Sequence, residues 1–352
     1  MKQNYFEIIV LYCLEKIKSE RTIYSIFHLL KGKKSAQTIQ DSHMYQLTSF
    51  FQLYPYVTRN RFDEAIRSLL SAGYLEELND QYFILTDKGR EQLHKNLKIY
   101  PIPKYLNGWK FHPQTDIFWK RLSLLVQVCS NLNHHHTQYM PVQKDKDIQL
   151  WLKKFIHHAT LKKTEMAKCL YQELMLLLQD SKNILPSAFV IRLSGFEAFG
   201  LTATQASERL QLDGYYYEAQ FTNVIHYMLE RMQLKPTEIP FLCKIIEDIP
   251  MKEPLTKSTK RTFALIQKGY KIDEIALMRN LKRNTIEDHL VELAINLKDF
   301  DIHPYVNVEK QKKIMNAAKK ASSRQLKQIR QFAQETSYFE IRLVLAKNGV
   351  EE

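Results

Sequence analysis

Four consecutive residues, Lys282, Arg283, Asn284 and Thr285, combine basic, amide and hydroxyl side chains. Lysine and arginine neutralise phosphate groups, and arginine, asparagine and threonine can hydrogen-bond to base edges. These contacts can form together if the four residues begin a helix whose N-terminus enters the major groove of a duplex. The pattern therefore indicates binding of a polyanion and does not indicate the making or breaking of covalent bonds.

The surrounding stretch, residues 257–294, predicts the three helices needed to position them. Ser258 is expected to cap the first helix, and Gly269 ends it where a left-handed conformation carries no steric penalty. The apolar residues of the second and third helices recur at three- and four-residue spacing. They are Ile272, Ile275, Ala276, Ile286, Leu290 and Leu293. The stretch is predicted to be a helix-turn-helix, and Arg279 and His289 join Lys282–Thr285 as candidate DNA-binding residues.

The composition is that of a basic, mainly helical chain. It has 352 residues, enough for two or three domains, and a net charge of +13, which favours a nucleic-acid partner. Only 9 glycines and 11 prolines leave little room for β-turns. We predict a mainly α fold with an N-terminal winged helix and small β-hairpin wing, a helical middle domain and a C-terminal helix-turn-helix domain.

The cysteines and apolar runs indicate a cytoplasmic protein without a membrane segment. The 4 cysteines lie far apart and form no CxxC pair, which argues against a zinc ribbon and for reduced thiols. No apolar run approaches the roughly 20 residues of a membrane span, and charges interrupt the N-terminus too early for a signal peptide. We expect the protein to be nucleoid-associated when it is bound to DNA.

Residues 1–98 predict the winged helix, with candidate phosphate contacts in two places. Lys33 and Lys34 lie in a basic turn before a helix that Ser35 can cap, and Arg59 and Arg61 begin the next helix. The spacing then becomes extended, and Asn79-Asp80 predicts the turn of a hairpin. A last helix follows a cap at Thr86.

The remaining segments are a linker at 99–114, the helical middle domain at 115–250 and the helix-turn-helix domain at 251–352. In the middle domain, Tyr215-Tyr216-Tyr217 could stack on bases, but packing is favoured because no basic residue adjoins it. Two histidine groups, 134–136 and 157–158, lack ligands at helical spacing, so a solvated loop is favoured over a metal site. The lysines of 310–320 are expected to form a solvated basic face that adds nonspecific affinity.

Motifs for catalysis are not found. A nucleotide-binding loop of the form GxxxxGK[ST] is approached only by Gly32-Lys33-Lys34-Ser35, which lacks the first glycine. No Ser/His/Asp, Cys/His or paired-carboxylate arrangement stands out. We predict a protein that is not an enzyme and that uses no cofactor and no metal.

Both ends resemble domains that follow the motor of RecQ-type helicases. Residues 22–90 resemble the RQC winged helix, and residues 255–348 resemble the appended helicase helix-turn-helix domain. The first resemblance is carried by Leu29–Ser35, Asp41-Ser42-His43, Leu69-Leu70, Gly73-Tyr74-Leu75 and Leu85–Gly89. The second is carried by Thr262, Gly269, Ile272, Glu274-Ile275-Ala276, Arg279, Leu281, Thr285-Ile286, His289-Leu290, Ser337-Tyr338 and Glu340-Ile341-Arg342.

Taken together, the two ends and the missing motor resemble the YpbB-like family, whose genes accompany a short RecQ-type helicase. The resemblance implies a non-enzymatic DNA-binding accessory subunit that acts with a RecQ-type helicase lacking its own C-terminal domains. Such a subunit would supply those domains in trans during DNA repair and recombination.

Two other functions stay open. Helix-turn-helix units most often serve transcription regulators, which bind paired half-sites as dimers. Acidic Glu287 and Asp288 on the third helix argue against strong reading of bases. Alternatively, all the units could be protein–protein modules that do not contact DNA.

Overall fold

A computed structural model of the protein describes residues 4–158, 162–179, 182–249, 255–321 and 324–349. The predicted mainly α class is confirmed. Helices α1 to α9 span Tyr5–Ile17, Tyr24–Lys31, Ala36–Met44, Arg59–Ser71, Asp87–Ile99, Gly108–Asn133, Lys146–His158, Lys163–Gln179 and Pro186–Val190. Helices α10 to α18 span Ala203–Arg209, Gly214–Leu234, Pro240–Cys243, Lys257–Gln267, Ile272–Met278, Arg283–Asn296, Val308–Lys320, Leu326–Phe332 and Tyr338–Asn348. A 3₁₀ turn occupies Thr48–Phe50, and strands β1 (Leu75–Asn79) and β2 (Tyr82–Leu85) form a hairpin.

The chain divides into two compact units. The first unit combines Met1–Ile9 with His94–Met251, and the second combines Val10–Leu93 with Lys252–Glu352. Most of the N-terminal and C-terminal segments therefore belong to the same unit. The predicted boundary between residues 250 and 251 lies outside the described residues, and the division into four segments stays a prediction.

In the second unit, the N-terminal helices and the hairpin follow the order predicted for a winged helix. The predicted cap is confirmed, because Ser35 Oγ accepts a hydrogen bond from the Thr38 amide at 3.3 Å. The hairpin is antiparallel, with Leu75 opposite Leu85. Leu75, Phe83 and Leu85 are buried, so one face of the hairpin packs on the helices.

The base of the hairpin is held by a close backbone approach. Thr86 Oγ1 accepts from the Gly89 amide at 3.0 Å and donates to the Gly73 carbonyl at 2.8 Å. A Cβ added to Gly89 would lie 2.1 Å from the Tyr74 carbonyl oxygen. Position 89 therefore requires glycine for space.

The helix-turn-helix is formed by α13, α14 and α15. The predicted cap at Ser258 is wrong, because α13 begins at Lys257 and its cap is Thr256, whose Oγ1 accepts from the Thr259 amide at 3.2 Å. Gly269 has the expected positive φ of 86°. Ile275 and Ile286 are fully buried where α14 meets α15.

The first unit is built around α6 and α11. Helix α6 begins at Gly108, inside the stretch predicted as a linker, because the Asn107 side chain accepts from the Lys110 amide at 3.1 Å. Arg121 is largely buried and donates to the Ile245 carbonyl at 2.7 Å and to Asp248 at 2.5 Å.

The tyrosine triplet 215–217 contributes to packing, which is the role that the sequence favoured over stacking on bases. Tyr217 is fully buried, and its hydroxyl donates to the Ala188 carbonyl at 2.7 Å. Tyr216 is 9 % exposed and lies edge-on to Tyr5, with ring centroids 4.8 Å apart.

We expect Gly89→Ala to destabilise the protein by about 1–3 kcal/mol, since the added methyl group would overlap a backbone carbonyl. Urea unfolding followed by circular dichroism measures the change in midpoint. Gly214→Ala is the matched control, because nothing lies within 4 Å of a Cβ at that helix start. Equal midpoints for the two variants would contradict the close approach at Gly89.

Candidate nucleic-acid interface

The N-terminus of α15 is open to solvent. Lys282 occupies the N-cap position, and its side chain makes no capping hydrogen bond. Lys282, Arg283 and Asn284 are exposed, and Thr285 is half-buried. Exposed amide groups and the positive end of the helix dipole favour an anion at such a terminus. A phosphate group can be held here by backbone and lysine together.

Arg283 is already paired within its own domain. Its guanidinium lies 2.5 Å from Asp273 Oδ1 and 3.0 Å from Glu287 Oε1. Hydrogen bonds to Asp273 and then to Glu287 raise the pKa of Arg283. Exposed ion pairs of this kind are worth about 0–1 kcal/mol, so a phosphate can replace either carboxylate. Until that exchange occurs, the charge of Lys282 is less compensated than that of Arg283.

Beyond its first turns, α15 is enclosed by protein. Residues 289–294 are all buried, although a helix on a domain surface would expose part of every turn. Helices α13, α14, α18 and α3 all pack against α15. The exposed residues of this helix and its N-cap, Lys282, Arg283 and Asn284, all lie at its N-terminal end.

An arginine from α18 joins the covering helices to α15. Arg342 Nη2 donates to Asp288 Oδ1 at 2.6 Å, and Arg342 Nε donates to Gln40 Oε1 of α3 at 2.8 Å. The half-buried Asp288 carboxylate is therefore paired with this arginine. Sequence reasoning singled out Arg342 only as part of a resemblance; the two contacts connect segments that are far apart in the chain.

Two of the predicted DNA-binding residues lie inside a polar network between α13 and α15. His289 is 6 % exposed, and its Nδ1 lies 2.8 Å from Thr262 Oγ1. Burial, with Arg279 nearby, lowers the pKa of His289 to about 4. Arg279 donates to the Thr262 hydroxyl and to the Ser258 carbonyl, the latter at 2.9 Å. We therefore leave His289 and Arg279 out of the proposed interface.

Glu292 is a further polar residue of this interior, and sequence reasoning missed it. Its carboxylate accepts from the Thr256 amide and from the Thr259 hydroxyl, the latter at 2.6 Å. Burial raises the pKa of Glu292, while the hydrogen bonds and the charge of Lys34 lower it. The sequence feature that could have revealed this role of Glu292 is a pair of threonines three residues apart on the buried side of α13. Lys34 thus lies close enough to interact with the helix-turn-helix.

In the N-terminal helices, Lys33 and Arg59 come together around one histidine. Lys33 Nζ lies 3.5 Å from His28 Nε2. Burial, followed by the charges of Lys33 and Arg59, lowers the pKa of His28. The Arg59 guanidinium lies 3.1 Å from the centroid of the Tyr24 ring. We call Lys33, Arg59 and His28 the His28 cluster, which concentrates positive charge at one place.

The carboxylates near this cluster pair with Arg59 and with the neighbouring Arg61. Arg59 pairs with Asp63 at 3.2 Å, and Arg61 pairs with Glu64 at 3.4 Å. These are exposed contacts within one helix and are weak. Arg59 and Arg61 both lie in the first turn of α4, so both side chains can turn towards a phosphate group.

The hairpin wing carries the opposite charge. Glu76, Glu77 and Asp80 are exposed, and residues 75–85 contain no lysine or arginine. Carboxylates at this density repel the phosphates of a nucleic acid. This hairpin is therefore not part of the proposed interface, although the wing of the RQC domain that it resembles acts at a strand junction.

Metal-binding clusters and membrane-spanning helices are both absent from the described residues. No group of three or more His, Cys, Asp or Glu side chains there could hold a metal ion. None of the helices in that part of the chain has both the length and the apolar character needed to cross a bilayer.

Comparison with known proteins agrees with this geometry. A profile of the helix-turn-helix domain family matches residues 258–345. Protein YpbB of Bacillus subtilis (strain 168) is 36% identical over 349 residues, which cover 99% of this chain and 98% of that protein. The chain belongs to the YpbB family. No solved structure matches it. The family membership and the helix-turn-helix match support a DNA-binding protein.

His289 should make the stability of the second unit depend on pH. The folded protein keeps this histidine neutral down to a pKa of about 4, whereas the unfolded chain takes up the proton near the ordinary 6.5. Its contribution is therefore complete above pH 6.5 and falls as the pH is lowered to 4. We expect the stability difference between wild type and His289→Gln to shrink over that range. Hydrogen exchange of the α15 amides measures it, and a difference independent of pH would contradict the assignment.

Proposed function

We propose that this YpbB-family protein binds duplex DNA through the N-terminus of α15 and the basic residues of its N-terminal helices. Lys282, Arg283 and Asn284, with the half-buried Thr285, form the first contact site, and Lys33, Lys34, Arg59 and Arg61 form the second. The protein acts without catalysis of its own as an accessory subunit of a RecQ-type DNA helicase in DNA repair and recombination. It supplies in trans the C-terminal domains that this helicase lacks.

The enclosure of α15 carries the proposal that the protein holds DNA without reading a sequence. A recognition helix that lies in the major groove presents side chains from several turns to the base edges. Here the first turn is open, and one helical turn is only about 5.4 Å long. That length reaches little more than one base pair, so phosphate contacts supply most of the affinity.

The packing of α3 against α15 and α18 supports joint action of the two segments. Arg342 reaches Gln40 of α3 and Asp288 of α15 at hydrogen-bond distance. Lys34 also lies near Glu292 of the helix-turn-helix. Because the N-terminal helices and the helix-turn-helix are attached to each other, they can present their basic residues together. Such an arrangement suits a subunit that offers both segments to a partner.

Changing Lys282 and Arg283 together to alanine should weaken binding to a duplex and reduce its salt dependence. Each lost phosphate contact lowers the slope of log K against log salt by about 0.9, so we expect a reduction of about 1 to 2. Fluorescence anisotropy over a salt series measures this slope. Lys144→Ala with Lys146→Ala, two exposed lysines of the first unit, is the matched control.

An unchanged slope in the Lys282/Arg283 variant would contradict the contact site. Selection from random duplexes gives a separate test, because a strongly enriched motif would favour a transcription regulator. The absence of a motif together with salt-dependent binding would support the accessory role.

The partnership itself is tested with the helicase that lacks C-terminal domains. We expect the two proteins to copurify and the unwinding rate to change when this protein is added. The Lys282/Arg283 variant should still copurify but should alter unwinding less, since its defect is in DNA binding. No copurification and no effect on unwinding would refute the partnership without affecting the DNA-binding proposal.

A further inference from the structure

Helices α16 and α17 carry a second basic surface, made by helices other than those of the proposed duplex site. Its cations are exposed and belong to Lys312, Lys313, Lys319, Lys320, Lys327 and Arg330. By contrast, Lys310 of the same helix is held by Glu340 at 2.7 Å. Positions 312, 319 and 320 lie within about 12 Å along α16, the scale of a few nucleotides.

Two large aromatic side chains lie in the same helical hairpin and are open to solvent. Phe332, the last residue of α17, is 54% exposed, and Tyr338, the first residue of α18, is 43% exposed. Both helices bury other apolar residues, Ile329 and Ile341, so the exposed rings are not required to fill the core. Exposed rings beside cations are typical of a surface that binds an aromatic or π-bearing ligand.

Specific contacts place Tyr338 next to a cation and bring α16 close to the same loop. The Arg330 guanidinium lies 4.8 Å from the centroid of the Tyr338 ring. Lys313 Nζ lies 3.8 Å from Glu335 Oε2, which brings α16 beside the loop between Phe332 and Tyr338. The Ser337–Glu340 capping box fixes the start of α18 and hence the position of Tyr338. We call Lys312, Lys313, Lys319, Lys320, Lys327, Arg330, Phe332 and Tyr338 the α16–α18 face.

We propose that the α16–α18 face binds single-stranded DNA. Phosphates contact the lysines, and unpaired bases stack on Phe332 and Tyr338. Lysines alone would bind any polyanion, but rings of this size gain contact only with bases that are not already stacked inside a duplex. The combination of a cationic helix with adjacent exposed aromatics therefore selects an unpaired strand.

The experiment uses the full-length protein and a labelled oligo-dT strand of about 12 nucleotides, followed by fluorescence anisotropy over a salt series. Phe332→Ala with Tyr338→Ala should weaken binding about 10-fold or more and leave the salt slope unchanged. Lys312→Ala, Lys319→Ala and Lys320→Ala together should lower the single-strand slope by about 2. The Phe332/Tyr338 alanine variant should not change duplex affinity by more than about 2-fold, because the bases of a duplex are already stacked.

The matched control removes exposed aromatics from the first unit. Phe199 is 92% exposed and Tyr171 is 64% exposed, and their joint replacement by alanine should leave oligo-dT binding unchanged. Phe332→Trp with Tyr338→Trp should retain binding, which separates stacking from damage to the fold. An abasic strand of equal length should bind wild type and the Phe332/Tyr338 alanine variant equally, because it offers no base to stack.

Three results would overturn the proposal. The first is an oligo-dT affinity that does not change when Phe332 and Tyr338 are replaced by alanine. The second is an equal loss of affinity by that variant for the abasic strand. The third is tighter binding of an oligo-U RNA by about 10-fold or more, which would reassign the face to RNA. Loss of duplex binding in the Lys282/Arg283 variant, with oligo-dT binding intact, would show that the two sites fail independently.

Discussion

The enclosure of the middle of α15 by four helices is the constraint on which the second unit depends. A helix enclosed by α13, α14, α18 and α3 stabilises the unit through apolar contact, and Ile286, Leu290 and Leu293 are fully buried. Its polar residues must then find partners, because an unpaired buried polar group costs about 1–3 kcal/mol. His289 and Glu292 find their partners in the hydroxyl groups of Thr262 and Thr259 on α13.

The same packing limits what the helix can do with DNA. The side chains that would follow a groove are committed to Arg342, to Thr262 or to the apolar core. Lys282 at the N-cap and Asn284 in the first turn are not committed in this way, since both are exposed. A helix-turn-helix arranged in this way is suited to holding a phosphate backbone, with little capacity for reading bases.

Charge is distributed unevenly, although the chain as a whole has a net charge of +13. The hairpin is acidic, Arg283 is paired with two carboxylates, and Arg279 is used inside its own domain. The proposed contacts are carried by exposed cations at Lys282, in the His28 cluster and on the α16–α18 face. Net charge therefore indicated the class of partner, while local pairing decides which surfaces can bind it.

The sequence alone determined the helices, several of their ends and the hairpin, because these depend on local signals. The left-handed turn at Gly269, the cap at Ser35 and the capping box at Ser337 follow from residues within a few positions of one another. One local prediction was wrong by two residues, because the cap of α13 is Thr256 and not the nearby hydroxyl residue Ser258.

Tertiary structure alone decided which candidate residues remain available to a ligand. In the sequence, His289 and Arg279 were candidate DNA-binding residues of the same helix-turn-helix as Lys282, although Arg279 could also pair with a carboxylate of its own domain. The exposure of His289 and Arg279 depends on their contacts with Thr262 and Ser258 of α13. It also depends on the packing around α15 of α18, which lies more than 50 residues away, and of α3, which lies near the opposite end of the chain. Contacts at such separations leave no periodic signal in the sequence, because they depend on how helices pack and not on how each one forms.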